Sequence, residues 1–564
     1  MRKNAPYPLY HLVPEITTLR DMIRIKAEER PDDVAFRYMR GRRTVVERTY
    51  GIFYRDVEAM STYLIKKGIR GRKIALIGEN SYRWLIAYFA IVTTGNVAVL
   101  IAKDASKTEV ATLLFQSDAD IALVSQGCAD IAEFCKQKYA KKKRFVSLTE
   151  MNEWLDKGMD YMAKGKHLYE KIETDPDALC TIFFTSGSTG FSKGVMLSQS
   201  NMVSDIMLTT CNFHPSGSTI AVLPFNHAFG LVTSVFKAFH YGVPIFICSN
   251  LGNFMREMSI AKPQTLFVVP LFVETFSKTI WRTAEKQGLA KKLRRGMKIS
   301  DGLLKLGIDK RRQLFDSVLS KFGGNLEYII CGGAPLDPRF VKEFRSFGIE
   351  ILNGYGITEC SPVLSVNRNH YVCDGSVGIP IPETQVVIDH PDENGQGEII
   401  VKGRNVMLGY YNDEASTNEV LKDGWFHTGD LGYINKDGFL FVTGRKKNLI
   451  ILANGENVSP EEIEQYVERI PEVQEVVVYE QGHHITAEVF PEESEMPKEE
   501  LRKVIEKKIE KMNAGLPNHK HVQTVIMRDT EFEKTATKKI KRYKATAKKQ
   551  AEAEDKDGAE QTES

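Results

Sequence analysis

Short apolar runs alternate with amphipathic stretches along most of the chain, and their periods predict the elements. Lys73–Ile77 is an apolar run of strand length that ends at the turn Gly78-Glu79-Asn80. A helix is predicted over about 81–94 and a second buried strand over about 97–101. Residues 84–102 carry no charge over 19 positions, nearly enough to span a bilayer. The polar Thr93-Thr94-Gly95-Asn96 in the middle spoils a single helix, so the segment is predicted as a βαβ unit with both strand faces covered. A helix over about 18–29 and a strand at Ile121–Val124 continue the alternation through residue 175.

The same alternation recurs over 176–390, interrupted by a long helical stretch between about 274 and 322. From 396 to 445 short strands and Gly-rich turns take over. Asp437-Gly438 marks a hairpin, because that pair readily takes the positive φ of a tight turn. Residues 447–543 have the pattern of a small α+β unit. Ser459 is placed to cap a helix, Pro460 suits its first turn and Glu462 would complete a capping box. Strands are predicted over 476–479 and 485–490, and Leu501, Val504, Ile505, Ile509 and Met512 fall at helical spacing. The charged end of the chain has no large apolar groups and is predicted to be disordered.

The division expected is therefore an α/β unit over 1–445, a small α+β unit over 446–543 and a charged tail over 544–564. The large unit would hold βαβ-type layered sheets plus a small β-barrel-like subdomain. Of 564 residues 42% are hydrophobic and 26% charged, an ordinary globular balance that excludes a largely disordered chain. The net charge of +3 gives no global pull toward nucleic acid. Eight scattered cysteines form no C-x-x-C and no metal-ligand spacing, which fits a reducing cytosol. The first ten residues lack the apolar core of a signal peptide, so a cytoplasmic protein is expected.

Chemistry concentrates first at Thr185-Ser186-Gly187-Ser188-Thr189-Gly190-Phe191-Ser192-Lys193-Gly194, after an apolar strand at 181–184. Three glycines let backbone N–H groups turn inward around an anion; hydroxyls and an ammonium add donors, as a polyphosphate requires. The spacing fits neither a Walker A loop nor G-x-G-x-x-G. The loop resembles the signature T-S-G-[ST]-T-G-x-P-K-G of the adenylate-forming superfamily, with Ser192 in place of proline. Further blocks resemble that superfamily in order: Leu223-Pro224-Phe225-Asn226-His227-Ala228-Phe229-Gly230, Gly332-Gly333-Ala334-Pro335, Asn353-Gly354-Tyr355-Gly356-Ile357-Thr358-Glu359, Gly424-Trp425-Phe426-His427-Thr428-Gly429-Asp430, Gly444-Arg445-Lys446-Lys447, Asn454-Gly455-Glu456-Asn457-Val458-Ser459-Pro460 and the block from Lys534 to Arg542. The resemblance covers roughly 15–543.

The resemblance implies that a carboxylate and ATP give an acyl-adenylate and pyrophosphate, after which a thiol displaces AMP. ATP, Mg²⁺ and CoA are the implied cofactors. By the same resemblance Thr185, Ser186, Gly187, Ser188, Thr189, Gly190 and Lys193 hold the β- and γ-phosphates. Thr358 bonds the α-phosphate, and Glu359 with Thr185 holds the metal. Gly333, Ala334, Pro335, Asn353, Gly354, Tyr355 and Gly356 form the adenine site. Asp430 takes the ribose hydroxyls, Arg445 reaches ribose or phosphate, and His227 lines the acyl entrance. Lys539 is the implied catalytic lysine; Glu533 and Lys538 replace the usual proline and glycine of its block, which leaves Lys538 as an alternative. Lys447 falls at the hinge of a mobile C-terminal lid, and Gly455 on the loop that borders a pantetheine tunnel.

The stretch 278–321 holds 13 Lys/Arg against 4 Asp/Glu, so 13 − 4 = +9. Its place before Gly332 resembles long-chain fatty acyl-CoA synthetases, which implies a fatty acid as partner and CoA as acceptor. A carrier-protein phosphopantetheine is the alternative acceptor, and a catalytically silent nucleotide or lipid binder is a reading from another class. The basic stretch is also the segment expected to meet the inner membrane surface, if any does.

Overall fold

The computed structural model describes residues 13–139, 143–186, 192–452, 457–482, 484–534 and 540–542. The predicted βαβ unit is present. Lys73–Ile77 and Val97–Ile101 pair in parallel, and the helix Tyr82–Val92 joins them. Ser81 caps that helix by accepting the Trp84 N–H at 3.2 Å. Every residue of the helix except Arg83 is buried, which is why its sequence is apolar all round. Among the described residues no helix is long and apolar enough to cross a membrane.

Two large sheets dominate. One has seven strands in the order Gly409–Tyr410, Ser192–Ser198, Leu179–Ser186, Val97–Ile101, Lys73–Ile77, Ile121–Val124, Arg144–Ser147. The other has nine, ordered Ile379–Pro380, Val363–Val366, Glu350–Gly356, Tyr328–Cys331, Thr265–Val268, Thr219–Ala221, Ile245–Ile247, Val34–Arg40, Thr44–Thr49. Their centres are parallel; both edges of the nine-stranded sheet and the Gly409–Tyr410 edge of the seven-stranded one are antiparallel, while Arg144–Ser147 pairs in parallel, the pattern of helix-covered α/β layers. The turn-rich stretch forms a five-stranded antiparallel sheet that includes Gly397–Lys402, Trp425–Ile434 and Leu440–Arg445. Its strand order leaves both edges unpaired among the described residues.

The long helical stretch is not one helix. It divides into Pro270–Lys286, Ala290–Lys305 and shorter turns, with Gly288 and Gly307 at positive φ of 68° and 76° between them. Glycine adopts that conformation without steric cost, so each ends a helix where the charge pattern alone ran on. The last unit has its own core, built from residues such as Ile463, Val478, Ile485, Leu501 and Ile505. Its helix Pro460–Val467 starts where expected, but without the capping box: the Ser459 hydroxyl donates to the Thr443 carbonyl at 2.8 Å and Glu462 pairs with Lys520. The serine is drawn to the preceding strand because Gly444 lets it approach; a Cβ at 444 would lie 2.2 Å from Ser459 Oγ. The expected disordered tail lies outside the described residues.

Candidate functional site

Residues carried by the three sheets meet at one crevice. The phosphate-loop segment is the tip of a hairpin between Leu179–Ser186 and Ser192–Ser198. Thr185 stands opposite Lys193 and Ser186 opposite Ser192 in the backbone register at the neck. Gly187, Ser188, Thr189 and Gly190 lie outside the described residues. The short strand Gly409–Tyr410 pairs with Val195 and Met196, which sets Tyr410 beside the hairpin. The Lys193 ammonium lies 4.8 Å from the Tyr410 ring centroid, a cation–π contact. The Tyr410 hydroxyl donates to Glu359 Oε1 at 2.9 Å. Burial and the neighbouring Glu359 carboxylate push the Tyr410 phenol up, so it stays a donor. Thr358 and Glu359 form a single 3₁₀ turn after the strand Glu350–Gly356, held by the Met407 N–H donating to the Glu359 carbonyl at 2.8 Å.

The second convergence is between the nine-stranded and five-stranded sheets. Asp430 and Arg445 are register partners, and Arg445 Nε forms an ion pair with Asp430 Oδ1 at 2.8 Å. The Tyr355 hydroxyl donates to Asp430 Oδ2 at 2.6 Å. Burial first, and then Asp430, hold the Tyr355 phenol well above its usual range. Asp430 is 4% exposed, and each of its oxygens keeps lone-pair capacity beyond these bonds. Lys447 lies near this group; burial, with Arg445 alongside, pushes its ammonium down.

Asn353 is buried on the same strand as Tyr355. Its Nδ2 donates to the Ser376 carbonyl at 3.2 Å, while its Oδ1 has no partner among the described residues. A buried acceptor left open is costly and suits an exocyclic amine of a base. Gly333, at φ +89°, with Ala334 and Pro335, follows the strand Tyr328–Cys331. Gly354 and Gly356 allow close backbone approach: a Cβ at 356 would lie 2.0 Å from the Pro362 carbonyl oxygen.

Behind these glycines is an apolar cavity of about 50 Å³, walled by Phe213, Phe229, Thr233, Val363, Tyr355 and neighbouring backbone. Phe229 opens a π-helical segment, Phe229–Phe236, directly after His227; the Leu231 N–H donates to the His227 carbonyl at 2.9 Å. Such segments are rare and gather at functional sites. His227 is half-buried, two residues before Phe229.

Some members of this neighbourhood carried no signal in the sequence. Tyr410 lies in a two-residue strand with no periodicity, paired to a segment over 200 positions earlier. Lys237 belongs to none of the sequence motifs. It is fully buried, with its ammonium 3.8 Å from the Phe213 ring centroid, and burial pushes it well below its ordinary value. Gln199 accepts the Leu19 N–H at 3.1 Å and so pins the first helix. Lys539 and Gly455 lie outside the described residues. The flanks of the lysine block are placed: Lys534 and Ile540 form an antiparallel bridge, and Arg542 pairs with Glu464.

The sequence profile described as AMP-binding enzyme matches residues 23–411, and that of the AMP-binding enzyme C-terminal domain matches 447–555. The chain is similar to the long-chain-fatty-acid--CoA ligase FadD15 of Mycobacterium bovis, 30% identical over 453 residues covering 75% of this chain and 73% of that protein. Among solved structures it is similar to the anthranilate CoA ligase AuaEII in complex with anthranoyl-AMP, with TM-score 0.76, 19% identity and coverage of 96% and 98%. It is likewise similar to the o-succinylbenzoate CoA synthetase MenE of Bacillus subtilis in complex with ATP and magnesium, with TM-score 0.69, 22% identity and coverage of 93% and 98%. The solved structures carry the fold, and the profile spans more than half of the sequence. The chain belongs to the AMP-binding enzyme family.

Proposed function

We propose that the protein is an AMP-forming acid–thiol ligase that activates a long-chain fatty acid with ATP and transfers it to CoA. The observation that carries this reading is the joining of three sheets by Lys193–Tyr410–Glu359 on one side and Tyr355–Asp430–Arg445 on the other. Cations, a carboxylate and a buried open acceptor at Asn353 make a complement to a nucleotide. The likeness to FadD15 supports the fatty acid, and family membership supports ATP, Mg²⁺ and CoA.

In this reading Thr185, Lys193 and the intervening loop grip the β- and γ-phosphates. Asn353 reads the base and Tyr355 lies against it, while Asp430 accepts from the ribose hydroxyls and Arg445 pairs with Asp430. Glu359 and Thr185 are the hard oxygen donors that would hold Mg²⁺, which when bound neutralises the leaving diphosphate. Thr358 bonds the α-phosphate. Lys539 orients the acid so that its oxygen attacks the α-phosphorus; the new P–O bond forms as the bond to pyrophosphate breaks. The thiol sulfur then attacks the acyl carbon, forming a C–S bond and releasing AMP. The unit after Arg445 acts as a lid: one pose delivers Lys539, and the other brings the Gly455 loop to the thiol.

The test is pyrophosphate release over a panel of carboxylic acids, with CoA and holo-carrier protein compared as acceptors. Release that depends on a long-chain acid, with CoA acylated, is the expected result. Release without any acid, or acylation of carrier protein alone, would overturn the assignment.

A further inference from the structure

We propose that the helix Ala290–Lys305 and the turn that follows it are a docking surface for an anionic lipid bilayer. The helix stands outside the main layers. Of its sixteen residues only Ser300 is fully buried. Its inner side is held by Leu293 and Met297 against the second core and by the Ser300 hydroxyl, which donates to the Ser346 carbonyl at 3.1 Å. At 100° per residue, Lys291, Arg295, Lys298 and Lys305 then project to the outer side.

Large aliphatic groups lie exposed among these cations. Leu289 is 44% exposed, Ile299 52%, Leu306 75% and Ile308 45%. A solvated face would not need them, and no packing in the described structure covers them. Cations and exposed aliphatic groups on one elevated helix are what an interfacial helix presents: the charges meet headgroup phosphates and the aliphatic groups enter the acyl boundary.

The charge distribution points to the same partner. The stretch 278–321 carries +9 while the whole chain carries +3, so the remainder carries 3 − 9 = −6. An anionic surface would therefore draw this side of the molecule and repel the rest, which gives orientation as well as attraction. Among the described residues no carboxylate pairs with Lys291, Arg295, Lys298 or Lys305, whereas Arg311 just beyond is neutralised by Asp309 at 2.7 Å. A nucleic acid would use the cations and leave the four aliphatic side chains against phosphate and water, so a bilayer accounts for more of the surface.

This inference does not depend on the proposed reaction, because binding can be read without substrates. The experiment is co-sedimentation of the full chain with phosphatidylcholine vesicles, with and without phosphatidylglycerol, at low and high salt. Two variants accompany it: a charge variant, Lys291→Glu with Arg295→Glu and Lys298→Glu, and an apolar variant, Ile299→Ser with Leu306→Ser and Ile308→Ser. All six positions are exposed, so circular dichroism and thermal unfolding should match the parent. We expect binding only to the anionic vesicles, weakened by salt, about a hundredfold weaker in the charge variant and about tenfold weaker in the apolar variant. Equal binding to neutral and anionic vesicles, or a charge variant that binds like the parent, would overturn the proposal. So would an apolar variant that binds vesicles as the parent does while both bind heparin equally, since that is a polyanion patch without lipid insertion.

Discussion

At the residue scale, two hydroxyl-to-carboxylate bonds organise the crevice. Tyr410 fixes Glu359, and Tyr355 with Arg445 fixes Asp430. A hydrogen bond to a charged group is worth about 1.5–3 kcal/mol. Tyr410→Phe should therefore raise the KM for Mg²⁺-ATP about tenfold or more with a smaller change in kcat, as measured by pyrophosphate release over an ATP titration. An unchanged KM would remove Tyr410 from the site. Asp430→Asn keeps the shape but loses the charge that pairs with Arg445 and that the proposed function assigns to the ribose hydroxyls. Acid-dependent ATP–pyrophosphate exchange should fall about a hundredfold or more, equivalent to about 2.7 kcal/mol; activation kinetics like the parent's would contradict the role. Asp430, Glu359 and Tyr355 were legible in the sequence because each sits in a dense motif. Tyr410 and Lys237 were not. Their importance comes from pairing or burial that no local pattern encodes.

At the element scale, strands announced themselves better than helix ends. The runs Lys73–Ile77 and Ile121–Val124 are buried on both faces and so are continuously apolar, which fixes their limits. The stretch after residue 270 hid its breaks because glycine inside a basic amphipathic pattern leaves the pattern unchanged. The segment after Arg445 is tied down by Lys446 to Glu398 at 2.9 Å and by Asn448 to Glu461 at 2.5 Å. Proline at 447 would fix φ within it. Lys447→Pro should slow thioester formation from supplied acyl-adenylate more than it slows adenylate formation; equal effects on the two halves would argue against a hinge. In the last unit, burial lifts the Glu464 carboxyl to about 7 in spite of Arg542 at 2.5 Å. Its ordinary value is 4.5, so the folded state holds the proton more tightly than the unfolded state. That contribution to stability is complete below about pH 4.5 and is lost as pH rises toward 7. Thermal unfolding of the unit should show this loss between about pH 5 and 7, at most about 3 kcal/mol. Glu464→Gln should flatten that part of the profile, and a slope that survives the substitution would assign it to other groups.

At the scale of the whole molecule, the proposed reading assigns the acyl group to the apolar cavity and the switch between half-reactions to the C-terminal unit. A space of about 50 Å³ admits only a small group, so under the proposed function a long chain entering it would require Phe213 or Phe229 to swing aside. The Lys237 ammonium lies 3.8 Å from the Phe213 ring centroid, behind that wall. Phe213→Leu keeps the core filled while opening the wall. The ratio of kcat/KM for long over short acids should rise several-fold, and an unaltered chain-length profile would place the tail elsewhere. The order of motifs implied the family-level plan of layered α/β sheets, a small β-barrel-like subdomain and a C-terminal unit. The cavity size was not legible, because it depends on side chains from strands, a π-helical segment and loops that meet only in the folded state. The central claim is that one crevice activates the acid and that a lysine on the C-terminal unit serves only that step. It is tested most directly by measuring the two half-reactions separately in Lys539→Ala, as acid-dependent ATP–pyrophosphate exchange and as CoA acylation from supplied acyl-adenylate. We expect exchange to be abolished and acylation to stay within a few-fold of the parent; equal loss in both, or exchange left intact, would contradict it.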